Sequence, residues 1–154
     1  MQMSKLEARV LSTPGHLINL AARAFSRLSE ARLKPLGFGV GYVPVLVALR
    51  DNHARTQRDL ARFARMEQPS MAQMLARMER EGLIRRNAHP ADGRASLVSL
   101  TKAAQTRLPD ACKVLLQGNH DVLTGFTDDE VGQLVTLLTK LISNLDRVAN
   151  AETP

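Results

Sequence analysis

Along this chain the spacing of apolar residues switches between helical periods and strict alternation, and the switches lay out the architecture. Ser12-Thr13-Pro14 supplies a capping hydroxyl and a first-turn proline. Leu17, Leu20, Ala21, Ala24 and Leu28 then repeat at helical spacing until Lys34-Pro35-Leu36-Gly37 ends the helix. Tyr42 to Arg50 (YVPVLVALR) is a short apolar helix with Pro44 tolerable in its first turn. Thr56 caps the next helix, with Leu60, Ala61, Phe63 and Ala64 facing inward. A polar turn ending in Gln68-Pro69-Ser70 leads to another helix, Met71 to Glu81, with a buried stripe of Met71, Met74, Leu75 and Met78 and a stop at Gly82. Leu83-Ile84-Arg85-Arg86, the loop Asn87 to Arg94 and an alternating run to Leu100-Thr101 predict a two-stranded hairpin.

Thr101 caps a helix running from Lys102 towards His120, which Pro109 is expected to kink or restart. Thr127-Asp128-Asp129-Glu130 is a capping box with acids at the positive helix end. On the helix that follows, Val131, Leu134, Leu138, Leu141, Leu145 and Val148 trace one stripe, widened by Val135, Leu137 and Ile142. So broad a stripe exceeds what a small domain needs to cover itself, and a second copy of the chain is the simplest partner. Met1 to Lys5 and Asn150 to Pro154 are expected to fray. The pattern predicts a mainly α fold with one small antiparallel β-hairpin.

The polar positions between these stripes carry the chemistry. On the helix from residue 70, Ser70, Ala72, Gln73 and Arg77 lie off the apolar stripe. A hydroxyl near free backbone amides holds a phosphate, Gln pairs with adenine, Arg with guanine, and Ala leaves room for a base methyl. Thr56 and Gln57 open the preceding helix on the same side of the turn. An ordinary solvated face would carry similar residues, so these helices alone do not decide. The hairpin does: Arg85 and Arg86 at its base and Arg94 at its tip gather three guanidinium groups. Asp92, two residues before Arg94, is placed to orient that side chain, and an oriented Arg on a protruding loop suits a narrow minor groove. Ser96 and nearby amides add phosphate donors.

Composition sharpens this picture. The 154 residues fit one domain with an aliphatic core and carry 21 basic against 15 acidic side chains, net +6. Residues 1–50 hold 7 basic and 2 acidic side chains, 51–102 hold 10 and 6, and 103–154 hold 4 and 7. The acidic, leucine-rich last third is a poor DNA surface, whereas the middle third holds its charge mostly as Arg. Aromatics make up 3% of the chain, so stacking platforms for single strands are nearly absent. One cysteine, Cys112, excludes an internal disulfide and fits a reducing compartment. With no apolar run of membrane-spanning length and no signal-like segment, a cytoplasmic protein with no membrane partner is expected. Gly37-Phe38-Gly39-Val40-Gly41 lacks the Lys-Ser/Thr ending and preceding strand of a phosphate loop, and reads as a turn.

The run DGRASLVSLT matches, at Asp92, Arg94, Leu100 and Thr101, the Asp-x-Arg-x-x-x-x-x-Leu-Thr wing pattern of the MarR-type winged-helix transcriptional regulators. VLVALR, TQRDLA and QPSMAQMLARMEREGLIRR fit the preceding elements, with Met78 where that family's pattern has Leu. The chain therefore resembles that family over residues 12–148. A further departure is Ala104, where the family often has Gly. The resemblance implies a winged helix-turn-helix flanked by N- and C-terminal dimerisation helices. Within a single domain of residues 1–154, the DNA-binding lobe is 36–101 and the dimerisation lobe 12–34 plus 102–148. It also implies a homodimer held through Leu17, Leu20, Val131, Leu134, Leu138, Leu141 and Leu145. The recognition helix is Ser70 to Glu81, and the wing residues are Arg94 with Asp92. The partner is a double-stranded pseudo-palindromic operator, released by a small, often aromatic or phenolic effector near His16 and Tyr42.

No cofactor and no metal site is expected, since His16, His53, His89 and His120 show no ligand spacing. An enzyme is disfavoured: no base lies beside a Ser or Cys nucleophile, and Asp128, Asp129 and Glu130 are explained by capping. The remaining alternatives are a thiol-redox-responsive regulator acting through Cys112, and a helical protein-interaction adaptor that does not touch DNA.

Overall fold

A computed structural model describes residues 5–52, 55–91 and 93–152. The chain divides into two units, Met1–Gly118 and Asn119–Pro154. The first contains α1 (Lys5–Leu11), α2 (Pro14–Leu33), a 3-10 turn (Lys34–Leu36), α3 (Tyr42–Arg50), α4 (Gln57–Phe63) and α5 (Gln68–Arg80). An antiparallel hairpin of β1 (Ile84–Ala88) and β2 (Ser96–Leu100) follows, then most of α6 (Lys102–Val122). The second holds the end of α6 and α7 (Asp128–Glu152). The fold is mainly helical with one two-stranded sheet, as the spacing predicts.

The core lies in the first unit and is almost purely aliphatic. Val45, Leu46 and Ala48 of α3, Leu60 of α4, Met71, Leu75 and Met78 of α5, Leu83, Val98 of β2, and Ala104, Leu108 and Ala111 of α6 are all sealed from solvent. Each helix presents residues three or four apart, the period that places them on one face. Phe63 departs from expectation and is exposed. Leu60, Ala61 and Ala64 define the inward arc of α4, and Phe63 falls outside it.

Caps set the boundaries. Thr13 accepts from His16 N, Thr56 from Asp59 N, and Thr127 and Glu130 bond each other's amides as a capping box. Helix α5 begins at Gln68, earlier than its apolar stripe suggests, so Ser70 lies within the first turn rather than ahead of it. At the other end, Leu83 N donates to Met78 O and Gly82 N to Glu79 O, with Gly82 at φ 70° and Leu83 buried: a Schellman stop. The same device ends α4, where Met66 N donates to Ala61 O, but the left-handed residue is Arg65 at φ 51°.

Three boundary expectations are corrected. Helix α1, which the spacing does not predict, takes in Lys5, the last residue of the stretch expected to fray, while residues 1–4 lie outside the described residues. Helix α6 runs through Pro109 without restarting, with Leu108 and Ala111 anchored in the core on either side. Helix α7 continues to Glu152.

The two left-handed positions give opposite expectations. Gly82→Ala should lower the urea midpoint by an amount equivalent to about 1–2 kcal/mol, the cost of a Cβ in that conformation. Arg65→Gly should raise it by up to about 1 kcal/mol, because the strain it relieves exceeds the extra chain entropy of glycine.

Candidate nucleic-acid interface

Three pieces of backbone meet at one edge of the first unit. Val98 N donates to Arg55 O at 2.7 Å and Thr56 bridges to Leu97, so the segment entering α4 runs beside β2. The Thr56 hydroxyl donates to the Asp59 carboxylate at 2.7 Å while it caps α4. Gln57 Nε2 donates to Gln68 Oε1 at 3.3 Å, joining the first residue of α4 to the first of α5. Between these helix starts and the hairpin lies a cleft of about 490 Å3. Thr56, Gln57, Arg94 and Ser96, singled out from the sequence, line it together. Arg58, Gln68 and His89 line it as well, and sequence reasoning missed them. Arg58 carried a signal, since it follows Gln57 in the first turn of α4. His89 carried none, because only the strand register places it opposite Ala95.

On α5, Ser70, Gln73 and Arg77 are exposed at spacings of three and four, and Ala72 is half-buried beside them. The hairpin register sorts the two arginines at its base. Arg85 pairs with Ser99 and is exposed, whereas Arg86 pairs with Val98, which is buried. Side chains directly opposite in an antiparallel ladder share a face, so Arg86 turns inward with Ile84 and Val98. Its Nε lies 3.3 Å from Glu79 of α5, an ion pair that clamps the hairpin base to that helix. Strand β1 runs two residues further than expected, to Ala88, and His89 N extends the ladder to Ala95 O. Asp92, expected to orient Arg94, lies outside the described residues.

The sequence model of the MarR family matches residues 36–95, the helix-turn-helix with the first strand and loop of the hairpin. The crystal structure of transcriptional regulator PA3341 is 31% identical, with a TM-score of 0.71 over 86% of this chain and 98% of that one. The chain belongs to the MarR family. A mutant of MarR from E. coli, solved in complex with operator DNA, is 26% identical at a TM-score of 0.75, covering 82% of this chain and 91% of that one. The repressor CouR, bound to a 23-mer duplex, shares the fold at 23% identity and a TM-score of 0.77, over 92% and 98% of the two chains. This MarR-family chain is thus a winged-helix transcription regulator and not an enzyme, and the hairpin is its wing.

Behind the recognition helix, the regulator has a second cavity of about 680 Å3, lined by Phe38, Tyr42, Arg77, Glu81 and Arg107 with α2 residues such as Glu30. Arg107 donates to Leu36 O at 3.2 Å and stands 5.6 Å from the centre of the Phe38 ring. Tyr42 is only 2% exposed, and Glu81 and Arg77, near the end of α5, act on its hydroxyl. His16, the other residue proposed near an effector, sits half-buried in the first turn of α2 and does not line this cavity.

Cys112 is half-buried at the core edge, within electrostatic reach of Arg50. Among the described residues, no three His, Cys, Asp or Glu side chains are grouped to hold a metal, and no helix is long and apolar enough to cross a membrane. Of the residues expected at a dimer contact, Leu17, Leu20, Leu134, Leu138 and Leu145 are exposed in the single chain, and Val131 and Leu141 half-buried.

Burial, followed by the Glu81 carboxylate and the hydrogen bond to it, holds the Tyr42 phenol above its ordinary value, with Arg77 opposing. A raised value in the folded state means a stability contribution that is complete below the unfolded value of about 10 and is lost as pH rises through the folded one. Tyr42 is the chain's one tyrosine and there is no tryptophan, so its ultraviolet titration is unobscured. The midpoint should lie above 10 in the native protein and return to about 10 in denaturant. Equal midpoints would dissolve the Tyr42–Glu81 link.

Proposed function

We propose that this MarR-family chain acts as a homodimeric repressor on a pseudo-palindromic operator and is released by a small-molecule effector. The observation that carries the DNA-binding geometry is the convergence of Thr56, Gln57, Arg94 and Ser96 on one cleft, next to the exposed Ser70–Gln73–Arg77 face of α5. Recognition helix α5 enters the major groove with Ser70, Ala72, Gln73 and Arg77, while Arg94 at the wing tip reaches the flanking minor groove. Arg85, on the outer face of β1, contacts the phosphate backbone. Arg86 acts indirectly by holding the wing to Glu79.

The homodimer reading rests on apolar exposure. Helix α7 buries no residue within the chain, although it carries Leu134, Val135, Leu137, Leu138, Ile142, Leu145 and Val148. Leu17, Leu20 and Phe25 of α2 are exposed too. Apolar surface of this extent is covered by a partner in a stable protein, and the dimerisation lobe is assigned to residues 12–34 and 102–148. Two copies set their recognition helices about 34 Å apart, one turn of duplex. The effector reading rests on the cavity behind α5. An aromatic or phenolic molecule between Phe38, Tyr42 and Arg107 would press on Arg77 and Glu81, residues of the recognition helix itself.

A titration of the regulator against a duplex from its own promoter, at several salt concentrations, tests the interface. Arg94→Ala should weaken binding and lower the salt slope by about one unit. Arg86→Ala should leave the slope unchanged and weaken binding only through the wing's position. An unchanged affinity for Arg94→Ala removes the wing from the mechanism. For the dimer, Leu138→Lys with Leu145→Lys should yield a monomer in sedimentation and lose operator affinity by more than about tenfold, because half-sites then bind singly. A dimer that survives both charges sinks the α7 interface.

A further inference from the structure

We propose that the cleft between wing and helix-turn-helix seats a phosphodiester of the DNA backbone, and that His89 is a contact there that takes up a proton on binding. This rests on the DNA-binding reading above and adds a residue and a linkage to it. The cleft is assembled from the starts of α4 and α5 and both arms of the wing, and its donors differ in kind: Arg58 and Arg94 as cations, the Thr56 and Ser96 hydroxyls, the Gln57 amide and the His89 ring. Uncharged donors mixed with guanidinium groups in a concave site fit an oxyanion and carry no base-specific pattern.

Of the side-chain types that line this cleft, imidazole is the one that serves as a switch around physiological pH, and His89 supplies it. Its position is held by backbone, since His89 N donates to Ala95 O at 3.1 Å. Its ring is held as well: Ala91 N donates to His89 Nδ1 at 3.1 Å. A nitrogen that accepts is unprotonated, so in the neutral ring the proton sits on Nε2. Adding a second proton puts an N–H on Nδ1, gives up the bond from Ala91 and places a positive charge near Arg58 of α4 and Arg94 of the wing. Gln68 of α5 and Gln57 of α4, which face the same space, bring no charge. In the free protein the bond from Ala91 and the two guanidinium groups favour the neutral ring. A seated phosphodiester reverses the balance, because its negative charge lies against both guanidinium groups and the ring. Binding then draws a proton onto His89, and by linkage DNA affinity rises as pH falls.

Because a phosphate contact is blind to sequence, a short random-sequence duplex at low salt is a sufficient probe, read by fluorescence anisotropy with the full chain. Between about pH 8 and about pH 6, binding should tighten roughly three- to tenfold, the range expected when one imidazole changes charge. His89→Gln, which cannot titrate, should bind with a flat pH profile at the weak level. His89→Arg, which stays charged, should be flat at the tight level. His16→Gln and His120→Gln should keep the wild-type slope. A pH-independent wild type, or a slope that survives in His89→Gln, overturns the assignment of His89 while leaving the DNA-binding reading intact. Failure of the wild type to bind duplex at any pH overturns both.

Discussion

A single threonine ties the reading head together. Thr101 donates its hydroxyl proton to Gly82 O at 2.7 Å, and the same oxygen accepts from Ala104 N to cap α6. Its amide donates to Leu83 O at 3.0 Å. The end of the recognition helix, the base of the wing and the start of α6 therefore share one small set of bonds. A hydroxyl can do this because it donates and accepts at once. With the Schellman stop at Gly82 beside it, the angle between α5 and the wing has little freedom. In the proposed docking the two arms sit in adjacent grooves and must hold a fixed spacing, which this junction sets.

The wing is fastened at two further points, and each assigns a role. The Arg86–Glu79 ion pair holds its inner face to α5, while the Arg55–Val98 bond joins its second strand to the entrance of α4. The same backbone bonds that fix the wing thereby bring Thr56, Arg58 and His89 around one cleft. A partly exposed ion pair such as Arg86–Glu79 adds little stability. Its importance is geometric, because it fastens the inward-facing arginine of the wing base to α5. At the other end of α5, Tyr42, Arg77 and Glu81 line one cavity, which brings it against the helix proposed to read bases. In the proposed mechanism, recognition and sensing would be coupled through α5 rather than through a separate relay.

Much of this was legible in the linear chain. Apolar spacing locates six of the seven α-helices among the described residues and the hairpin, and the caps at Thr13, Thr56, Thr101 and Thr127 mark real helix starts. Capping and periodicity are local, so they survive without knowledge of the fold. Where tertiary packing competes with local preference the reading slipped. Pro109 does not restart α6, which continues through it with Leu108 and Ala111 buried on either side. Phe63 was counted as core because it is apolar, although the arc of α4 that faces inward was already filled.

The sequence by itself determined the order and type of elements, the aliphatic core, the concentration of arginine in the middle third and the family that the wing pattern indicates. Each of these depends on spacing or composition within a few residues. Only the tertiary structure decided which neighbours in space those residues acquire. It turned Arg86 inward and left Arg85 exposed, brought Arg58, Gln68 and His89 to the cleft, and placed Tyr42 against Arg77 and Glu81. Strand register and helix packing make those choices, and both depend on contacts between residues far apart along the chain, which a linear pattern does not encode.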